Sequence, residues 1–196
     1  SSFAQPIAVT GESAQATSRK LIRTVSIDAE TQEFEQLRAS VEAKIKELGG
    51  YVESSNINNG SAYGRNNDQL RHAVITARIP AARADEFLDL VGSSANVVTK
   101  NESSRDVTLQ YVDMESREKA LDAEEVRLLE MLESADTVED MIYIEDRLSS
   151  IRYEKESIES QIRTYDNQVD YTTVTLTLSE VKVFTEVPEE PIKEPT

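Results

Sequence analysis

With 196 residues, 38% hydrophobic and 30% charged, the chain can build one domain with a real core, and its high charged fraction suits an extended appendage with much surface. The formal net charge of −16 repels nucleic-acid phosphates and anionic lipid, so no nucleic-acid partner is expected. The absence of cysteine excludes disulfides, thiolate metal sites and a cysteine nucleophile, and no apolar run approaches the ~20 residues of a membrane-spanning helix.

Residues 1–18 are rich in Ser, Ala, Gln and Thr without apolar period and read as a flexible linker. Alternation from Leu21 to Ile27, with Leu21, Arg23, Val25 and Ile27 on one face, predicts a strand, and Asp28 is the expected cap of the helix that follows. In that helix Phe34, Leu37, Val41, Ile45 and Leu48 recur at three- and four-residue spacing until Gly49-Gly50 stops it. Strands are expected from about Tyr51 to Ile57 and from about Leu70 to Ile79, joined by Asn58 to Asp68. Pro80 introduces a short helix carrying Phe87, Leu88 and Val91 and closed by Gly92, and a fourth strand follows at Asn96–Lys100. The fold class is therefore α+β, with the βαββαβ order of a ferredoxin-like sheet.

From Val107 the period changes. Val107, Tyr111, Met114, Glu118, Leu121, Glu125, Leu128, Leu132 and Ala135 step by four and three, with Asp106 as cap. After a turn, Thr137-Val138-Glu139-Asp140 restarts a helix on which Met141, Ile144, Leu148, Ile151, Lys155, Ile158, Ile162 and Tyr165 continue the stepping. Two such helices joined by a tight turn predict a long antiparallel coiled-coil hairpin with arms of about 28 residues, ~40 Å in length. Glu118, Glu125 and Lys155 interrupt its seam and are candidates to pair across it or to fix register. Thr172 to Leu178 alternates threonines with aliphatics and returns to the sheet as a fifth strand, so the hairpin is an insertion whose roots, near Asp106 and Tyr171, share one end of the sheet. A pull on the hairpin would then reach the sheet.

The expected organisation is a sheet domain from 19–105 and 170–184, the helical hairpin from 106–169, and an acidic, proline-rich linker from 185–196. Spacers at both ends and a start at Ser1 read as the middle section of a longer, tethered protein.

Five stretches carry a resemblance: Arg19-Lys20-Leu21-Ile22-Arg23; Gly49-Gly50-Tyr51-Val52-Glu53; Ala77-Arg78-Ile79-Pro80; Asp106-Val107-Thr108 with Tyr111-Val112-Asp113; and Ile144 through Arg152 in the second arm. Together they span Arg19 to about Lys182 and resemble a family of bacterial membrane-anchored lipoproteins, the domain of unknown function four-three-four-nine. The resemblance implies a bacterial cell-envelope location outside the membrane, anchored by a lipidated cysteine, a transmembrane helix or both in segments beyond this stretch. It supplies no catalytic motif.

No nucleophile-elbow, zinc-protease or phosphate-loop pattern occurs, so no catalytic residue, metal or cofactor is assigned and the chain is not expected to be an enzyme. His72, the only histidine, reads as an ordinary strand residue. Asp113, Glu115, Glu118, Asp122, Glu124 and Glu125 could offer carboxylates to a cation, but a straight helix cannot wrap one, and a solvated face is preferred. The connection carrying Asn58, Asn59, Tyr63, Arg65 and Asn66 is the ligand-binding candidate, having polar groups and one aromatic between strands. At the hairpin tip Met131, Leu132, Val138, Met141, Ile142 and Tyr143 put more apolar surface near the turn than two helices can bury. The expected function is protein interaction, scaffolding or sensing through the hairpin, with a protein partner or self-association. The alternative is small-ligand binding or hydrolysis of a polar envelope substrate.

Overall fold

The computed structural model describes residues 18–60 and 70–187. The elements follow as β1 (Leu21–Thr31), α1 (Phe34–Glu47), β2 (Tyr51–Asn58), β3 (His72–Pro80), a 3-10 turn at Ala81–Arg83, α2 (Ala84–Ser94), β4 (Asn96–Asp106), α3 (Thr108–Glu133), α4 (Val138–Asp170) and β5 (Tyr171–Glu180). The mixed α+β class is as expected.

Several boundaries differ from the sequence expectation for physical reasons. Asp28 does not cap α1, because β1 keeps pairing with β5 as far as Thr31. There the Thr31 hydroxyl accepts from the Glu33 amide at 3.0 Å, just before the helix. Gly92 does not close α2, which runs on to Ser94. β4 reaches Asp106, well beyond Lys100, since its polar second half pairs residue by residue with β1 up to Leu21. An exposed edge strand needs no apolar alternation, and sequence period cannot reveal it.

The five strands lie in the order β2-β3-β5-β1-β4. β5 pairs parallel to β1 and antiparallel to β3. In a ferredoxin-like sheet β1 and β3 would be neighbours, but here the returning strand stands between them, at the centre of the sheet. Its Val174, Leu176 and Leu178 align with the buried faces of both flanking strands, and burying that row from both sides favours the middle position over an edge.

The sheet core is built from Val25, Ile27 and Ala29 of β1, the alternate residues Ala73 to Ile79 of β3, and the β5 row. Phe34, Val41 and Ile45 of α1 cover it together with Phe87 and Val91 of α2. Gly49 sits at φ 79°, where glycine reverses the chain without steric cost. A second cluster, Leu121, Leu128, Ile144, Leu148, Ile151 and Ile158, lies between α3 and α4.

The α3–α4 pair is antiparallel. Tyr111 meets Asp166, Arg117 meets Glu154 and Glu124 meets Arg147, so partners move down α4 as they move up α3. The helices have 26 and 33 residues, the longer spanning ~50 Å. Asp106 fixes the start of α3: its carboxylate accepts from the Thr108 amide at 3.0 Å and hydroxyl at 2.6 Å, and this holds its pKa below the usual carboxylate range. The Thr108 hydroxyl in turn accepts from the Lys20 amide at 2.9 Å. At the other end α4 passes directly into β5, with Asp170 helical and Tyr171 extended.

Beyond β5 the chain stays attached. The Val181 amide donates to the Thr31 carbonyl, and the Thr185 amide and hydroxyl both donate to Glu30. Arg71 grips the end of β5 through a two-pronged bond to Glu180 at 2.6 and 2.8 Å, while its guanidinium lies 5.1 Å from the Phe34 ring centre. Hydrogen bonds from the Arg71 side chain and amide lower the Glu180 carboxyl from 4.5 to about 2. Because the folded-state value is depressed, the contribution is fully present above about 4.5 and lost as pH falls toward 2. Glu180→Gln is therefore expected to lower the melting temperature at pH 7 while flattening the fall in stability below pH 4.5. Melting curves across that range that stay parallel to wild type would contradict it.

Candidate functional site

At the tip, α3 stops at Glu133 and the chain reverses through Ser134–Asp136. The Ser134 amide bonds the Met131 carbonyl at 3.2 Å, and the Ala135 amide bonds that of Leu132 at 3.4 Å. Thr137 caps α4 reciprocally with Asp140: its hydroxyl accepts from the Asp140 amide at 3.1 Å and donates to the Asp140 carboxylate at 2.6 Å. Leu132 turns inward against the interhelical cluster. The other five predicted tip residues face outward, with Met131 54%, Val138 70%, Met141 39%, Ile142 56% and Tyr143 72% exposed. These five lie on the helix faces turned away from the interhelical cluster, which at this end takes Leu128, Leu132 and Ile144. Met131, Ala135, Tyr143 and Ile144 line a shallow cleft of about 420 Å³ together with Asp136 and Asp140.

Between tip and root two of the three polar seam residues, Glu125 and Lys155, pair across the helices. Lys155 lies 2.8 Å from Glu125 and 2.6 Å from Asp122, and Arg152 adds a 3.1 Å contact to Glu125. These bonds to Asp122 and Glu125 raise the Lys155 pKa, and those from Lys155 and Arg152 lower that of Glu125. Of the six carboxylates considered for a cation, Asp122, Glu124 and Glu125 are thus engaged with bases of α4. Partly exposed pairs of this kind contribute little net stability, and their value lies in setting which residues face each other.

At the root, the Tyr111 hydroxyl donates to Asp166 at 2.8 Å, with the Lys20 ammonium 3.5 Å from the same carboxylate and 4.3 Å from the Tyr111 ring centre. The bond to Asp166, followed by burial, pushes the Tyr111 hydroxyl up to about 12. Arg78 is nearly buried and donates to Thr173 of β5 and Asn167 of α4, joining the last turns of that helix to two strands. Tyr51 and Tyr171 meet edge to face at 5.7 Å on the same end of the sheet. The helix pair is therefore fixed to the sheet by side-chain bonds and by the unbroken passage of α4 into β5.

Against this geometry, the family model described as Domain of unknown function (DUF4349) matches residues 19–196. The chain belongs to this family. Neither curated proteins nor solved structures yield a significant match to it.

Elsewhere in this DUF4349 domain, Asn58 ends β2 and its side chain accepts from the Gly60 amide at 3.0 Å; Asn58 and Asn59 are exposed. Tyr63, Arg65 and Asn66 lie outside the described residues. His72 is exposed on β3 and its ring lies 3.3 Å from the Ser179 hydroxyl. The sheet face opposite α1 and α2 is a feature that the sequence alone did not single out. Ser54, Thr76, Thr175, Ser26 and Asn101 align there from strand to strand, an uncharged row of hydroxyl and amide groups. The alternating threonines of β5 were its signal, but only the central position of β5 turns them into the middle of a row. The root cluster was also missed, since Arg78 reads as a solvent-facing strand residue until α4 is laid across it. No helix among the described residues is long and apolar enough to cross a membrane.

Proposed function

We propose that this DUF4349 domain is an extracytoplasmic protein-interaction domain of a membrane-anchored envelope protein, serving scaffolding or sensing through its helix pair. The observation that carries this is the group of five outward-facing apolar side chains at the tip, on helices whose other large aliphatics are mostly turned inward. An apolar group at the end of a long projection favours association with another protein. The pair is read as a coiled-coil hairpin, given the seam stepping and the cross-helix ion pairs. The sheet is read as a ferredoxin-like one opened at its centre, since taking β5 out leaves β2-β3-β1-β4. The envelope location rests on the family resemblance. The root bonds and the direct α4–β5 junction support a rigid lever, by which a load on the tip reaches the central strand.

A photo-crosslinking residue placed at Tyr143, at the tip, and in a second variant at Tyr153, midway along α4, tests this in intact cells. Both positions are similarly exposed, at 72% and 78%. A discrete crosslinked protein from Tyr143 alone is expected; equal labelling from both, or none from the tip, would remove the tip from the proposal. The uncharged hydroxyl row on the open sheet face favours a second reading, binding of a small polar ligand, which ligand-induced protection of β5 amides would support.

A further inference from the structure

The tip is unusual in charge as well as in exposure. Between Leu128 and Glu145 the chain carries Glu130, Glu133, Asp136, Glu139, Asp140 and Glu145 and no Lys, Arg or His. All six are exposed. The rest of the helix pair is different, because Arg117, Arg147, Arg152 and Lys155 there balance acidic neighbours across the seam. Among the described residues none of these six carboxylates forms an ion pair, and Asp136 and Asp140 line the cleft together with Met131, Tyr143 and Ile144.

From the tip's role in protein interaction proposed above, we infer that its partner is a cationic amphipathic protein segment, one presenting aliphatic side chains flanked by Lys or Arg, and not a second copy of this chain. Two tips brought together would oppose twelve like charges around a small apolar contact, at a separation shorter than the ~8 Å screening length at physiological salt. An anionic lipid surface meets the same repulsion. A cationic rim reverses its sign: the six carboxylates steer the partner in, and the methionines adapt to aliphatic side chains of different shape. Alternating i, i+3 and i+4 aliphatics on a basic helix would seat in the cleft as helix-in-groove partners do.

The probes are three synthetic helical peptides with one leucine face, flanked by lysine, by glutamine or by glutamate, titrated against the full chain by fluorescence anisotropy at several salt concentrations. Only the lysine peptide is expected to bind appreciably, and its affinity should fall at least about tenfold between 50 and 500 mM salt. Glu130→Lys/Glu133→Lys/Glu139→Lys should weaken it by about tenfold or more, whereas the same charge change at Glu53, Asp89 and Glu156, away from the tip, should cost about twofold. Equal loss in both variants would overturn the inference, because general acidity would then explain the binding. Equal binding of the glutamine peptide would overturn it while leaving the tip as an interface. Concentration-dependent dimers in sedimentation that the tip reversal alters, or retention on anionic vesicles, would likewise replace the cationic partner. Absence of both peptide binding and tip crosslinks would remove the interface itself.

Discussion

Replacing Ile151 with aspartate is expected to open the helix pair and leave the sheet domain folded. Ile151 is 0% exposed at the middle of the interhelical cluster. The substitution removes its burial and places a carboxylate in the apolar centre of the seam, between Arg147 and Lys155, which are already paired with acids of α3, a cost on the order of 5 kcal/mol. Ile151→Val, which only trims a methyl group, should cost about 1 kcal/mol. The core under α1 and α2 shares no residue with the interhelical cluster, so the damage should stay local. Hydrogen exchange reads this directly: protection lost over Thr108–Asp170 and kept over His72–Pro80 and Tyr171–Glu180. If the β5 amides were lost with the helices, the two cores would be one cooperative unit, and the lever would also be a folding partner of the sheet. The crosslink expected at Tyr143 should vanish in either case.

Gly50→Ala is expected to destabilise the sheet domain as a whole. A Cβ there would lie 2.6 Å from the Arg78 carbonyl oxygen, 3.2 Å from that of Ile45 and 3.3 Å from the Ile79 Cα. All three are backbone atoms and cannot rotate away. The clash falls where β2 begins to pair with β3, at Tyr51 opposite Arg78, so relief requires parting those strands or shifting the end of α1. A cost of about 3 kcal/mol follows, lowering the melting temperature by roughly 10 °C. Gly92→Ala is the contrasting control. Nothing lies within 4 Å of its Cβ position, and the residue is inside α2, so alanine should stabilise by about 0.5–1 kcal/mol through helix propensity. Equal melting temperatures for the two variants would contradict the account of Gly50. Strand displacement at this point would also disturb Arg78, and with it the bond to Asn167 that secures the helix pair.

The periodic elements were legible because each carries its own burial pattern. Phe34, Leu37, Val41 and Ile45 are buried on α1 as their spacing requires, and Ala73, Ile75, Ala77 and Ile79 form the inner face of β3. Thr137 and Asp140 cap α4 as their types and spacing imply. The tip was legible for a related reason: a run of apolar residues beside a turn exceeds what two helices can cover, whatever the rest of the fold. Less legible were features lacking an apolar period, such as the polar half of β4, whose pairing depends on β1 lying alongside it.

Local sequence thus determined which segments are helices and strands, which face of each is apolar, where the helix pair turns, and that six acids without a base surround that turn. Those properties depend on neighbours within a few residues, or on composition alone. Only the tertiary structure decided that β5 enters between β1 and β3, because an alternating strand fits a sheet centre or an edge equally well until both flanking rows are present. It alone brought Lys155 to Glu125 and Asp122, and Arg78 to Asn167 and Thr173, since these partners are far apart in the chain and their meeting is set by helix register and by the crossing of α4 over the sheet.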